Sequence, residues 1–372
     1  MLVQPQSFKI EMASAATITT AQGSVTMTEI TESSSKDQLA AVWAYASDAM
    51  GWPSEAVIAV TPFEDGNRHA VHRVSFRDAS DGIRDVVVRV SFGGDASELA
   101  HAEREAAVLE NVGGVAAPEL YDFRRTSDWF DTPAMCMQFL PGRQQDLQTV
   151  GLTEIGQLAS LVAWVHERPV DGLGESMGTT TTIASYAGDR LRVILSTLAW
   201  ARDPLPETLQ DRLRSAAGSL AESFDASWDS GGFNSGETLS LLHGDIGPGN
   251  VLWNPGPCLI DWEYTRLGDP ADEMAYTFDQ NALTPSQRGA FWDGYQQGID
   301  SRSRLAHIIE RVNWWEPVTL LGSALWWVGR WVRRTELDTE GKADPGVPRE
   351  PGYYFGHVIS RIDRLDTLVS PS

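Results

Sequence analysis

The sequence predicts a two-lobe α+β protein, a small antiparallel sheet carrying one helix followed by a larger, mostly helical part. Three observations predict it. Between residues 52 and 140, short apolar runs alternate with Gly/Asp/Asn turns and are interrupted by one amphipathic stretch. After Gly142 the pattern changes to long helical periods. At 372 residues the chain is also longer than a typical single domain, which makes two folding units the prior.

In chain order, residues 1–35 are rich in Ser, Thr and Ala, carry no clear period and read as a flexible extension, with Met12 or Met27 as alternative starts. "KDQLAAVWAYASDAM" puts Leu39, Val42, Trp43, Ala46 and Met50 at helical spacing and stops near Gly51 and Pro53. "AVIAVTPF", "AVHRVSF" and "IRDVVVRVSF" read as strands joined by the turns "EDGN" and "DASDG". "DASELAHAEREAAVLENVGG" reads as a helix capped by Asp95 or Ser97 and stopped at Gly113-Gly114. Two further strands, in "VAAPELYDF" and "PAMCMQFL", complete the sheet. The first lobe is expected at 36–137, a hinge at 138–143 where Pro141-Gly142 break the pattern, and the second lobe at 144–372. In that lobe "LTEIGQLASLVAWVHERP" is amphipathic, further helices run to about Ser230, and helical periodicity returns from Pro285.

Composition narrows the function. No segment approaches the roughly 18 consecutive apolar residues of a membrane helix, and the N-terminus lacks a basic region followed by an apolar core, so no secretory signal is expected. Cys136 and Cys258 both sit in apolar runs and read as small buried residues rather than a disulfide or metal set, which fits a cytoplasmic protein. A formal net charge of -22 argues against nucleic-acid and anionic-membrane partners. The same charge favours cationic ligands, the plain alternative being solubility. No sequence feature points to an oligomeric state.

One stretch, "LLHGDIGPGNVLWNPGPCLIDWEY" (Leu241 to Tyr264), holds acids at the tips of short apolar runs. Taking "NPGP" as the turn sets Trp253 opposite Cys258, Leu252 opposite Leu259, Val251 opposite Ile260, and Asn250 opposite Asp261. Directly opposed residues share a face. An amide oxygen and a carboxylate would then converge on one point, a donor pair suited to Mg²⁺, which takes the rest of its shell from water and phosphates. Asp245, at the other end of the Gly-Pro-Gly loop, could orient a substrate hydroxyl and accept its proton. That division of labour, and the four residues between Asp245 and Asn250, match kinase phosphoryl transfer. His243 reads as a hydrogen-bonding support for the loop.

"HGDIGPGN" followed by "LIDWEYTRLGDPADEMA" resembles the aminoglycoside phosphotransferase and choline kinase superfamily, protein-kinase-like enzymes that phosphorylate small molecules. The matches to its pattern are His243, Gly244, Asp245, Asn250, Ile260, Asp261, Trp262, Glu263, Gly268, Asp269, Pro270 and Asp272. The resemblance covers roughly residues 52–365, with the motif core its specific part. It implies a protein-kinase-like two-lobe fold, transfer of a γ-phosphoryl from ATP (GTP as the alternative), Mg²⁺ on Asn250 and Asp261, and Asp245 as base. It also implies that Arg89 stands at the strand cation and Glu105 at the helix acid that orients it, with Glu103 a neighbouring candidate. Gly66 and Asn67 occupy the phosphate-loop position without a full G-x-G-x-x-G, and "MCMQFLPG" would pair adenine through the backbone of Gln138, Phe139 and Leu140. Of the two acids after the metal strand, Asp272 is expected mostly to brace the catalytic loop.

Membership in that superfamily leaves the acceptor open. The acidic balance and a C-terminal run with Trp314, Trp315, Trp326, Trp327 and Trp331 point to a small cationic alcohol, because aromatic faces attract ammonium groups. Gly244 follows the aminoglycoside-kinase form, whereas "DWEY" is close to the choline-kinase form, so choline, ethanolamine or another metabolite is the alternative. The Trp run also has core spacing, and Asp279, Asp293 and Glu316 are candidates to pair with amines. A kinase-like binding module would be expected to lose Asp245, Asn250 or Asp261, and all three are present. A metal-dependent hydrolase would want a further His or carboxylate cluster.

Overall fold

The computed structural model describes residues 19–20, 23–24, 33–63, 69–77, 82–169, 182–201, 204–229, 233, 237–299, 301–340 and 349–369. Gly66 and Asn67 lie outside these residues, as does most of the expected N-terminal extension. After a short antiparallel strand pair, Thr19–Thr20 with Gly23–Ser24, the elements in chain order are α1 (Ser33–Met50), β1 (Val57–Pro62), β2 (His69–Arg77), β3 (Ile83–Ser91), α2 (Ala96–Val112), β4 (Leu120–Arg124), β5 (Ala134–Gln138) and β6 (Arg143–Gln144). Then come α3 (Leu152–His166), α4 (Ile183–Ala201), α5 (Glu207–Asp229), β7 (Ser240–Leu242), β8 (Val251–Trp253), β9 (Pro257–Leu259) and β10 (Arg266–Gly268). Four helices close the chain: α6 (Pro270–Gln280), α7 (Pro285–Gly298), α8 (Arg302–Glu340) and α9 (Pro351–Val369). These form two compact units. One holds the described residues up to Gln145 together with Gly249–Thr265; the other holds Asp146–Pro248 and the described residues from Arg266 on.

In the first unit the sheet runs β1-β2-β3-β5-β4, antiparallel throughout. Strand alternation in β2 buries Ala70, His72, Val74 and Phe76 and leaves the residues between them partly exposed. Leu39, Val42, Tyr45 and Ala46 of α1 pack on that face against Val74, Phe76, Val86 and Val88. Among the described residues no charged partner offsets the burial of His72, which pushes its pKa down to about 4 and keeps it neutral. Helix α2 starts at Asp95, whose carboxylate accepts from the Ser97 and Glu98 amides at 2.8 and 3.0 Å. Asp95, not Ser97, is therefore the cap.

Strands β6, β8 and β9 form a second sheet in the same unit, with β8 in the middle. Its hairpin register is one residue tighter than the sequence suggested: Val251 faces Leu259, Leu252 faces Cys258, and Trp253 faces Pro257. The Ile260 amide bonds the Asn250 carbonyl at 3.0 Å, so Asn250 stands opposite Ile260 and not Asp261. Three residues make the turn, closed by the Asn254 amide on the Gly256 carbonyl at 2.9 Å and held by Asn254 Nδ2 on the Pro141 carbonyl at 2.6 Å. Pro257, read as a turn residue, begins an edge strand, where a missing N–H costs nothing. Both cysteines are free; Cys136 is buried as expected, whereas Cys258 is partly exposed, and burial pushes each thiol up to about 12.

The second unit is helical around a two-stranded pair, β7 with β10. Helices α3 and α7 cross so closely that a Cβ on Gly294 would lie 2.1 Å from the Gly156 carbonyl, which only glycine allows. Helix α7 opens with a Thr284–Gln287 capping box, and Gln287 Nε2 also donates to the Leu147 carbonyl at 2.9 Å. The 39-residue α8 contains Pro317 and packs along α9. Among the described residues, no helix is long and apolar enough to cross a membrane.

Candidate active site

The loop between β7 and β8 is held from within the second unit. His243 is fully buried, and its Nδ1 accepts the Asp245 amide at 3.2 Å. Gly244 sits at φ +87°, a left-handed conformation that suits glycine. Its N–H donates to Glu273 Oε1 at 2.5 Å, while Glu273 Oε2 meets His166 Nε2 at 2.8 Å and His166 Nδ1 meets the Tyr295 hydroxyl at 2.8 Å. Burial acts to raise the Glu273 pKa, but His166, His243 and the Gly244 amide outweigh it and hold this carboxyl below its usual range. The loop is thus tied to α6 through a buried anion. Further along, Asn281 Nδ2 donates to the Ile246 carbonyl at 2.9 Å.

The two acids after β10 divide the remaining support. Asp269 is fully buried; it caps α6 on the Ala271 amide at 3.0 Å and accepts from Arg311 Nε at 2.8 Å and Trp315 Nε1 at 2.9 Å. Asp272 accepts from Arg266 Nη2 at 3.0 Å and from the Tyr186 hydroxyl, with Arg190 Nε 3.5 Å away. Arg266 in turn reaches the Gly244 carbonyl at 3.5 Å, so Asp272 braces the loop through an arginine. Asp245 itself is 1% exposed, and its Oδ1 accepts the Tyr276 hydroxyl at 2.5 Å.

The first unit carries the other predicted residues. Arg89 projects from β3, and its Nη2 donates to Glu105 Oε2 on α2; its Nη1 lies 3.5 Å from Asp261 Oδ1. Burial works against the Arg89 cation, yet Glu105, Asp261 and Glu263 outweigh it and raise its pKa. Glu103 pairs instead with Arg125 Nε at 2.5 Å, which leaves Glu105 as the acid on Arg89. Asp261 takes φ +64°, uncommon for a side-chain-bearing residue, and so turns the chain sharply just past β9. Asn250, 3% exposed, ends the loop beside β8.

With this geometry in view, similarity to known proteins decides the family: a model of the phosphotransferase enzyme family (APH) matches residues 60–307. The chain belongs to that family. This phosphotransferase is a small-molecule kinase with an alcohol group as acceptor. It is 27% identical over 251 residues, 66% of its own length and 75% of the relative's, to thiamine kinase of Escherichia coli O81 (strain ED1a). Its fold is similar to that of Plasmodium vivax ethanolamine kinase, with a TM-score of 0.61 at 14% identity over 91% of this chain and 89% of that one. Spectinomycin phosphotransferase, solved with ADP and spectinomycin, gives a TM-score of 0.50 at 11% identity over 84% and 93% of the two chains.

In two regions of the phosphotransferase the structure narrows what the sequence left open. The Gln138 amide donates to the Glu119 carbonyl at 2.8 Å, so it is spent within the sheet; Phe139 and Leu140 follow beyond the strand end. The tryptophan run does not make one aromatic box. Trp314 and Trp315 are core residues whose indoles donate to Ser223 and Asp269. Trp326 carries Arg330 at 4.7 Å, and Trp327 stacks on His357 at 4.0 Å with Arg361 at 5.2 Å, so protein cations already occupy these rings. Asp279 pairs with Arg364 Nη1 at 2.6 Å and Glu316 with Arg288, while Asp293 stays exposed.

Sequence reasoning missed Tyr276, Glu273, His166, Arg266 and Tyr186. Glu273 and Tyr276 had a readable signal, since they stand on α6 at helical spacing from Asp269 and Asp272. Arg266 lies inside the same motif, six residues before Asp272, whereas His166 and Tyr186 come from distant segments and carried none.

Proposed function

We propose that this phosphotransferase moves the γ-phosphoryl group of ATP to a hydroxyl of a small cationic molecule in the cytoplasm. The observation that carries the nucleotide side is the Arg89 guanidinium, shared between the buried Glu105 and the partly exposed Asp261. A fixed cation beside a carboxylate is what a triphosphate with its metal requires. GTP is the alternative donor.

Asn250 and Asp261 fit Mg²⁺ in donor chemistry, one amide oxygen and one carboxylate. Their side chains belong to residues flanking the hydrogen bond from the Ile260 amide to the Asn250 carbonyl. Bound there, the ion would neutralise charge on the phosphate oxygens. Arg89 would draw the phosphates, with Glu105 fixing its fork. Since the Gln138 amide is engaged, the adenine edge falls to the remaining backbone groups of Gln138, Phe139 and Leu140. Asp245 orients the acceptor hydroxyl and takes its proton; in the chain only Ile246 and the Gly-Pro-Gly loop separate it from Asn250.

For the acceptor, the net charge of -22 supports a cation. Thiamine and ethanolamine, named for two relatives, are cations as well. The similarity to thiamine kinase favours a metabolite alcohol over an aminoglycoside. The test is ATP consumption with Mg²⁺ against thiamine, choline, ethanolamine, homoserine, amino sugars and aminoglycosides. Turnover of one cationic alcohol is expected. Nucleotide binding without turnover across the panel would instead make the chain a binding module.

A further inference from the structure

The contact between Tyr276 and Asp245 is the one the acceptor would make. A base that takes a proton from an alcohol must receive its O–H within hydrogen-bond reach, about 2.6–3.2 Å. In this chain an O–H already occupies that relation: the Tyr276 phenol donates to Asp245 Oδ1 at 2.5 Å. Asp245 is only 1% exposed, so the carboxylate offers solvent almost no other approach.

Tyr276 is suited to hold the place without reacting. Burial, then the charge of Asp245 and the hydrogen bond to it, push the phenol pKa well above its ordinary value, with Asp279 adding to the shift and Arg266 opposing it. The phenol therefore keeps its proton and remains a donor. It sits on α6, anchored to the loop one turn earlier by Glu273 on the Gly244 amide, so the pair forms on a braced element.

Resting on the reading of Asp245 as base, we propose that Tyr276 is a placeholder hydroxyl that the acceptor alcohol displaces. While it stays, water is kept from the base and ATP is spared. An alcohol must bind strongly enough to take over the hydrogen bond, which makes Tyr276 a determinant of acceptor specificity. Without the placeholder, water can replace the alcohol: its oxygen bonds the γ-phosphorus, the bond to the departing ADP oxygen breaks, and a water proton passes to Asp245.

The experiment compares the full chain and Tyr276→Phe for hydrolysis of ATP with Mg²⁺ and no acceptor, then for the KM of whichever alcohol the wild type phosphorylates. Loss of the hydroxyl should raise acceptor-free hydrolysis and lower the acceptor KM, each by about ten-fold as for one lost charge-assisted hydrogen bond, with kcat nearly kept. A fall in kcat with hydrolysis and KM unchanged would overturn the proposal and make Tyr276 a positioning residue for the base. If the Phe variant lacks a cooperative melt, Tyr276→Met is read by the same criteria. Wild-type turnover in the same assay separates the two readings: if the wild type turns over no alcohol and the variant gains no hydrolysis, both fall together.

Discussion

Arg89 Nη1 lies 3.5 Å from Asp261 Oδ1, on the other side of its guanidinium from the contact with Glu105. Residues distant in sequence thereby share one buried cation, 10% exposed at Arg89 and 2% at Glu105. Removing Glu105 leaves Arg89 buried with only part of its compensation. Glu105→Ala should cost about 3 kcal/mol of stability, as for other broken buried pairs, and should weaken ATP binding. Urea denaturation and nucleotide titration check both, and an unchanged denaturation midpoint would mean that Arg89 relaxes into solvent.

Arg311 shows the same physics at the brace. Its Nε and Nη2 donate to Asp269 at 2.8 and 3.0 Å, and Nη2 also donates to Glu237 at 2.9 Å. Arg311→Met would leave a fully buried Asp269 carboxylate with less than its charge balanced. A loss of about 3–5 kcal/mol is expected, read as a lowered melting temperature; a shift of a degree or less would contradict it.

His72 predicts a pH effect of definite sign. Its folded pKa is about 4, below the roughly 6.5 of an unfolded histidine. Only the unfolded chain takes up this proton as pH falls through the interval, so stability is lost on acidification. The loss from this site reaches about 2–3 kcal/mol by pH 4.5. Urea midpoints at pH 7 and 4.5 for wild type and His72→Val measure it. The variant should lose about that much less between the two pH values, and equal losses would place the acid sensitivity elsewhere.

Much of this was legible in the sequence because it rests on short-range rules. Strand alternation and the ordered HGD, IDWE and GDP motifs marked the elements, the family and a candidate residue set, and narrowed the α2 cap to Asp95 or Ser97. The hairpin register was not legible, because "NPGP" permits either three or four turn residues, and Asn254 settles it only through a bond to Pro141. The tryptophan run was ambiguous for a related reason: a period says which residues share a face, not that Arg361 and His357 fill it. Buried partners such as His166 on Glu273 were out of reach, since 107 residues separate them.

The measurement that bears most directly on phosphoryl transfer at Asp245 is steady-state turnover of Asp245→Asn beside its ATP affinity. The amide keeps the shape and the hydrogen bond from Tyr276 but cannot act as a base. Turnover should fall by about 10²-fold or more while ATP binding stays near the wild-type value. Near-wild-type turnover in this variant would contradict the account.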